Sequence, residues 1–378
     1  MKIFIAGDFC PQYRAAEKFE KGDFESILGG LKDVLSNADY SIVNFECPVT
    51  KGNEKPIIKQ GPNLQCSEKG VEAVKWAGFD CVTLANNHFL DYGEDGVKNA
   101  LEACKRYGLD TVGGGLCLKD ASSILYKDID GERLAVINCC EHEFSIATAN
   151  SAGCNPLNTI QQYYAIQEAK RNADFVLVIV HGGHEHFQLP SPRMKETYRF
   201  FIDAGADAIV NHHQHCFSGF ETYKDRPIFY GLGNLCFDKE MRKSCNWYEG
   251  YMVMVEFSDG HVRTKLYPYH QSETSAKVEM MAEDAYKGKI ERLNAIIKDP
   301  DKTDSEIEKY YASRAVYVET MFEPLMNKYF RTLKKKGWLP SLISLERLLL
   351  SENFISCESH RDIVTWLLKK NRQKREKQ

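Results

Sequence analysis

The chain opens on an unbroken apolar run, KIFIAGD at residues 2–8, that stops at a polar turn. The same design recurs. YSIVNFE (40–46), FDCVTLANN (79–87), ERLAVINCC (132–140), DFVLVIVHGG (174–183) and ADAIVNHH (206–213) are short apolar, β-branched runs closed by polar residues. Continuous rather than alternating hydrophobicity predicts strands buried on both faces. Between them, apolar positions fall three and four apart. That spacing predicts helices over 23–36, 67–78, 94–108, 159–173 and 192–205. Gly108 closes the third of these, and Pro192 and Gly205 bracket the last. The runs at 226–234 and 250–269, with the turn Ser258-Asp259-Gly260, predict antiparallel hairpins.

Strand–helix alternation predicts an α/β fold, a mixed two-sheet core flanked by helices. Near residue 271 the texture changes to helix-compatible sequence with few β-branched runs. The expected division is a domain over 1–270 and a helical extension over 271–378. The extension ends in LLKKNRQKREKQ, read as a solvated basic tail.

Composition adds exclusions. At 378 residues, 43% hydrophobic, 27% charged and a net charge of −4, the chain has the make-up of a soluble globular protein without the basic excess of a nucleic-acid binder. The first apolar run is shorter than the roughly 7–15 residues of a signal-peptide core. No run approaches the roughly 18 residues of a membrane span. A cytoplasmic protein with no transmembrane segment is the expectation. The 13 cysteines are scattered with no CxxC pair, which argues for reduced, buried thiols and against a redox protein.

The chemistry-bearing residues stand at the strand ends. Asp8 follows KIFIAG, Glu46 follows YSIVNF, and Asn87-His88 follow CVTLAN. His181, His184 and His186 follow one buried run, and His212, His213 and His215 end another. In an α/β sheet the strand ends line the ligand crevice. Carboxylates, imidazoles and a neutral amide together suit divalent transition metals, and a shared carboxylate can hold two of them roughly 3.5–4 Å apart. Backbone alternation puts His213 and His215 on one side of an extended chain, with His212 and Cys216 on the other.

The ordered motifs Gly7-Asp8, Asn44-Phe45-Glu46, Ala85-Asn86-Asn87-His88 with Asp91-Tyr92-Gly93, His181-Gly182-Gly183, His212-His213-Gln214-His215 and Gly231-Leu232-Gly233-Asn234 resemble the bacterial capsule-synthesis, poly-γ-glutamate (CapA-type) proteins. That family looks like a branch of the calcineurin-like metallophosphoesterases. The resemblance covers roughly residues 1–240 and implies a metallophosphoesterase-like αββα sandwich. It implies that Glu46 bridges two metals. Asn87, His181 and His213 would complete one site, and Asp8 and His215 the other. His88 would act as general acid or transition-state stabiliser, oriented by Asp91. His184 and Glu185 are candidate substrate contacts. Glu141-His142-Glu143, Tyr92 and Arg193 are further pocket candidates.

Two positions depart from the pattern. Cys10 stands where the wider superfamily has a histidine ligand. It reads as a buried thiol outside the ligand set, the alternative being a thiolate ligand that favours zinc or iron. Asn211 stands where the family usually has Gly, and Asn can share the left-handed backbone of Gly. Many family members are exported or membrane-anchored, and this chain shows no such signal.

The resemblance implies a hydrolase with one or two divalent ions (Mn, Zn or Fe), in which metal-bound hydroxide attacks a phosphoester or an amide-linked, γ-glutamyl substrate. The expected partner is a small molecule or an anionic polymer, and no nucleic acid. The alternative is a non-catalytic assembly or binding component for a cell-surface polymer.

Overall fold

The computed structural model describes residues 1–59, 61–239, 245–258, 260–322 and 327–341, with isolated positions beyond. The chain divides into two compact units, Met1–Asp304 and Ser305–Gln378. The first therefore takes in residues past the expected change near 271. The basic tail lies mostly outside the described residues.

The first unit is a two-sheet sandwich. In chain order its strands are β1 (Lys2–Phe9), β2 (Tyr40–Phe45), β3 (Cys81–Thr83), β4 (Asp110–Val112), β5 (Gly114–Gly115), β6 (Leu125–Ile129), β7 (Glu132–Cys140), β8 (Gly153–Cys154), β9 (Phe175–His181), β10 (Ala208–His212), β11 (Phe220–Tyr223), β12 (Arg226–Phe229), β13 (Asn234–Cys236), β14 (Glu249–Ser258), β15 (His261–Gln271) and β16 (Val278–Met280). One sheet runs β16-β15-β14-β1-β2-β3-β4, with β13 also paired to β1. The other runs β11-β12-β10-β9-β7-β6, and β5 and β8 form a small ribbon. β1 to β4 are mutually parallel, as are β7, β9, β10 and β12.

Period-two alternation explains the layering. Ile3 and Ile5 of β1 and Ile42 of β2 face the second sheet, in one core with Val136, Leu177 and Val210. Phe4, Ala6 and Val43 point the other way, into a core shared with helical Val71, Val74 and Val97. On the second sheet's outer face, Ile166 and Ala169 of helix Thr159–Asn172 and Tyr198, Phe201 and Ile202 of helix Pro192–Asp203 close the fourth layer. The two sheets also meet through Phe175 and Phe257, whose ring centroids are 4.7 Å apart.

Several elements differ from expectation. The helix expected over 23–36 is broken into Glu25–Leu28, a tight turn at Gly29–Leu31, and Lys32–Leu35. Two adjacent glycines, poor helix formers, sit at the break. Helix Tyr13–Glu20 and the short strands β4, β6, β11 and β16 had no expectation at all. β16 lies inside the stretch expected to be helical. Every cysteine from Cys10 to Cys236 is a free thiol, and all but Cys117 are buried. Among the described residues no helix is long and apolar enough to cross a membrane.

Candidate metal centre

Parallel pairing sends the C-terminal ends of β1, β2, β3, β9 and β10 to one edge of the sandwich. Register does the rest. Asp8 pairs with Asn44 on one side and Asn234 on the other, and His212 pairs with His181. β1 and the turn before β13 approach so closely that a Cβ on Gly7 would stand 2.0 Å from the Gly233 carbonyl oxygen. Only glycine fits there. The Asp8 amide donates to that same carbonyl at 3.0 Å.

Two groups of ligand atoms each lie within 4.8 Å of one another: Glu46, His181 and His213, and Asp8, Glu46 and His215. Glu46 belongs to both. Asn87 joins the first through Oδ1, 3.0 Å from His181 Nε2, which is itself 3.1 Å from His213 Nδ1. His215 Nε2 and His181 Nε2 stand 3.6 Å and 3.8 Å from Glu46 Oε1. All six candidate ligands are buried. Cys10 belongs to neither group. Its Sγ accepts from Gln12 Nε2 at 3.3 Å instead. Cys10→Ser is therefore expected to keep the metal content of the parent protein, measured by elemental analysis. Loss of one equivalent would make the thiol a ligand.

The electrostatics suit a cation. Burial pushes the Glu46 carboxyl well up, and the neighbouring Asp8 charge adds to it. Glu46 Oε1 has no hydrogen-bond partner. Burial also raises Asp8, but His212, His215 and Asn44 more than offset it and hold that carboxyl below its usual range. Burial, then the other imidazoles, pulls His181 well down. Burial pulls His215 down to about 4 despite the charges of Asp8 and Glu185. Burial thus favours the neutral form of the His181 and His215 rings beside an orphaned buried Glu46 oxygen, a donor set that a divalent ion satisfies.

A ring of amides fixes these groups. Asn44 Nδ2 donates to Asp8 Oδ1 at 2.8 Å and lies 3.4 Å from Glu46 Oε2 and 3.3 Å from His181 Nδ1. Asn234 Oδ1 is 2.9 Å from His215 Nδ1. Both amides lie in motifs the sequence displays, and their supporting role shows only in space.

The turn after β10 corrects the alternation argument. Extended backbone ends at His212, and His213 and His215 take φ of 95° and 53°. Left-handed backbone is uncommon for histidine and marks a strained turn at the site. His212 therefore does not face away: its Nδ1 lies 3.2 Å from Asp8 Oδ1.

Asn211 is also different from expectation. It is ordinary extended strand, so its value is its side chain. Nδ2 donates to the carbonyls of Gly182, His212 and Tyr230 at 2.9–3.0 Å, while Oδ1 accepts from Tyr198 Oη at 2.6 Å. This amide ties together the ends of the two strands that carry the histidines. Asn211→Ala would strand the Gly182 and Tyr230 carbonyls and the Tyr198 hydroxyl and is expected to cost on the order of 2–4 kcal/mol of stability, read by urea unfolding. Parent-like stability would rule out the tie.

His88 sits on the loop after β3, with its Nδ1 2.6 Å from Asp91 Oδ2. Sequence reading missed a third member. Lys59, its side chain 1% exposed, pairs with Asp91 Oδ1 and brings Nζ within 3.1 Å of His88 Nδ1. Asp91 also anchors the 51–66 loop: Oδ2 accepts from the Leu64 amide at 2.6 Å, and its carbonyl accepts from the Ile57 amide. Lys59 lies in a polar loop without periodicity, so no local signal marks it.

The 182–186 loop forms the rim. Half-exposed Glu185 feels His215, His213, His186 and His88, which outweigh the effect of burial and lower its carboxyl. His184 packs edge-on to Phe187, at 6.5 Å between centroids. Trp247 stacks near His215 and His186, at 5.0 and 5.8 Å. Glu141 Oε1 pairs with Arg193 Nη2 at 2.6 Å. Tyr92 stands at the start of helix Gly93–Arg106.

The chain is similar to several known proteins. The sequence profile described as "Bacterial capsule synthesis protein PGA_cap" matches residues 2–239. The "Capsule biosynthesis protein CapA" of Bacillus anthracis is 40% identical over 247 residues, 63% of this chain and 60% of that protein. The "PGA biosynthesis protein CapA" of Bacillus subtilis (strain 168) is 34% identical over 238 residues, 62% of this chain and 63% of that protein. The matched part thus spans about three-fifths of the length of these relatives. Among solved structures, one described as a novel phosphatase of Mycoplasma pneumoniae superposes with a TM-score of 0.47 at 17% identity, over 72% of this chain and 95% of that one.

Proposed function

This chain belongs to the family of bacterial capsule synthesis proteins, and from that premise we propose that it is a metal-dependent hydrolase acting on an anionic polymer or its small fragments, at a phosphoester or a γ-glutamyl amide bond. One observation carries the reading. Glu46 is shared by two buried groups of ligand atoms, and its Oε1 has no hydrogen-bond partner. Glu46, Asn87, His181 and His213 would hold one ion, and Asp8, Glu46 and His215 the other. Mn, Zn and Fe all suit imidazole and carboxylate donors. When bound, such a pair polarises the scissile oxygen and lowers the pKa of a water to near neutrality.

The chain's own residues do the remaining work. Asn44 and Asn234 hold the carboxylate and the His215 ring in place. His88, with Nδ1 facing Asp91, presents Nε2 for a proton to or from the leaving group. Lys59 neutralises Asp91 from behind. His184 and Glu185 stand at the rim, where they meet substrate. The test is hydrolysis of a generic phosphodiester and of γ-glutamyl peptides, with and without chelator. Turnover of either, abolished by chelation and restored by Mn, Zn or Fe, is the expected result. Activity that survives chelation would overturn the reading.

A second reading, a non-catalytic polymer-binding or assembly component, is favoured by one observation. The Asp8 group has no nitrogen donor at position 10. Tight polymer binding without turnover of any of these substrates is its signature.

A further inference from the structure

We propose that the segment Asn327–Leu348, outside the residues matched to the family, docks on an anionic lipid surface. Helix Lys328–Lys335 buries none of its residues. Tyr329, Phe330 and Leu333 fall three and four apart and so share one stripe. Tyr329 is 79% exposed. Asn327 starts the helix cleanly, its Oδ1 accepting from the amides of Tyr329 and Phe330 at 2.9 and 3.0 Å.

The helix end extends the stripe. Gly337 takes φ of 73°, its amide donates to the Lys334 carbonyl at 2.8 Å, and the Trp338 amide donates to Leu333 at 3.0 Å. That is the Schellman arrangement, which turns the chain back so that the residue after the glycine sits over the last helical turn. It carries Trp338, 69% exposed, to the Leu333 end of the stripe. Leu345 and Leu348 follow, at 72% and 43% exposure. An aqueous protein gains nothing by holding this much apolar and aromatic side chain in water.

Charge selects the occupant. Lys328, Arg331, Lys334, Lys335, Lys336 and Arg347 are basic against the single acid Glu346 in this segment, in a chain whose net charge is −4. By helical spacing, Lys334 and Lys336 flank the apolar stripe, and Lys328, Arg331 and Lys335 lie opposite. Long basic side chains beside an apolar face reach up to head groups while the face enters the acyl boundary. Lys336 Nζ over the Trp338 ring, at 5.0 Å, pairs a cation with the aromatic suited to the interface. A short helix with both features lies on an anionic bilayer rather than crossing it.

The experiment is co-sedimentation of the full chain with vesicles of phosphatidylcholine alone and of phosphatidylcholine with phosphatidylglycerol. Binding at least about tenfold stronger to the anionic vesicles is expected, and its loss on raising salt from about 0.1 to about 0.5 M. Tyr329→Ser with Trp338→Ser, and separately Lys334→Glu with Lys336→Glu, should each lower binding about fivefold or more while leaving metal content unchanged. Failure to bind anionic vesicles, equal binding to both kinds, or undiminished binding by the Ser pair would overturn the proposal. So would tighter capture of a single-stranded oligonucleotide than of the vesicles.

Discussion

Replacing His88 by Ala is expected to lower turnover by about 10²-fold or more, the usual size of a lost general acid or base, and to leave metal content unchanged. Replacing His213 by Ala is expected to abolish turnover and to remove metal as well. The contrast follows from position. His213 Nδ1 lies 3.1 Å from His181 Nε2, inside the cluster that includes Glu46. His88 faces Asp91 and Lys59 instead. Elemental analysis and kinetics on the two variants decide it. Unchanged metal in His213→Ala would sink the ligand assignment, and unchanged turnover in His88→Ala would leave that residue a loop anchor. Asp91→Asn is not an equivalent probe. Asp91 holds the 51–66 loop through Leu64, Ile57 and Lys59, so its loss reaches beyond His88.

Why the centre was visible in the sequence, and where it was not, has a physical answer. Strands such as IFIA, SIVN and VLVIV are apolar on both faces because they lie inside a layered sandwich. A polar residue ending such a run has one place to go, the edge where parallel strands finish. Asp8, Glu46 and His181 are therefore legible as a group in the sequence alone. Edge strands carry no such signal. β4 and β6 are short, partly exposed and paired on one side, so local sequence leaves them unmarked. Roles set by side-chain reach were equally hidden. Lys59 meets Asp91 only because the 51–66 loop folds back on the loop after β3. In sequence Asn211 looks like a backbone substitute for Gly, but it serves through its side-chain amide. Alternation failed for His212 because it assumes an extended chain, and the chain stops being extended one residue later.

The last expectation concerns Glu46 itself, where binding and stability oppose each other. Its carboxyl is fully buried, faces the Asp8 charge, and leaves Oε1 unpartnered. In the folded, metal-free chain its pKa lies well above the usual value, while in the unfolded chain it returns to about 4.3. Between those limits the folded state holds a proton that the unfolded state has released. Stability must then fall as pH rises through that window. Glu46→Gln removes the titration and keeps the shape. In chelator the variant is expected to be more stable than the parent by on the order of 2 kcal/mol, a few degrees in Tm, with a margin that grows from about pH 5 to about pH 8. Saturating metal should reverse the order. A ligand at 100 times its Kd adds about 2.7 kcal/mol to the parent, and the variant, lacking the shared carboxylate, gains little. Thermal scans of both proteins with and without metal test this directly. Equal Tm values in chelator across that range, or equal gains with metal, would show that Glu46 is not the group on which the two ions depend.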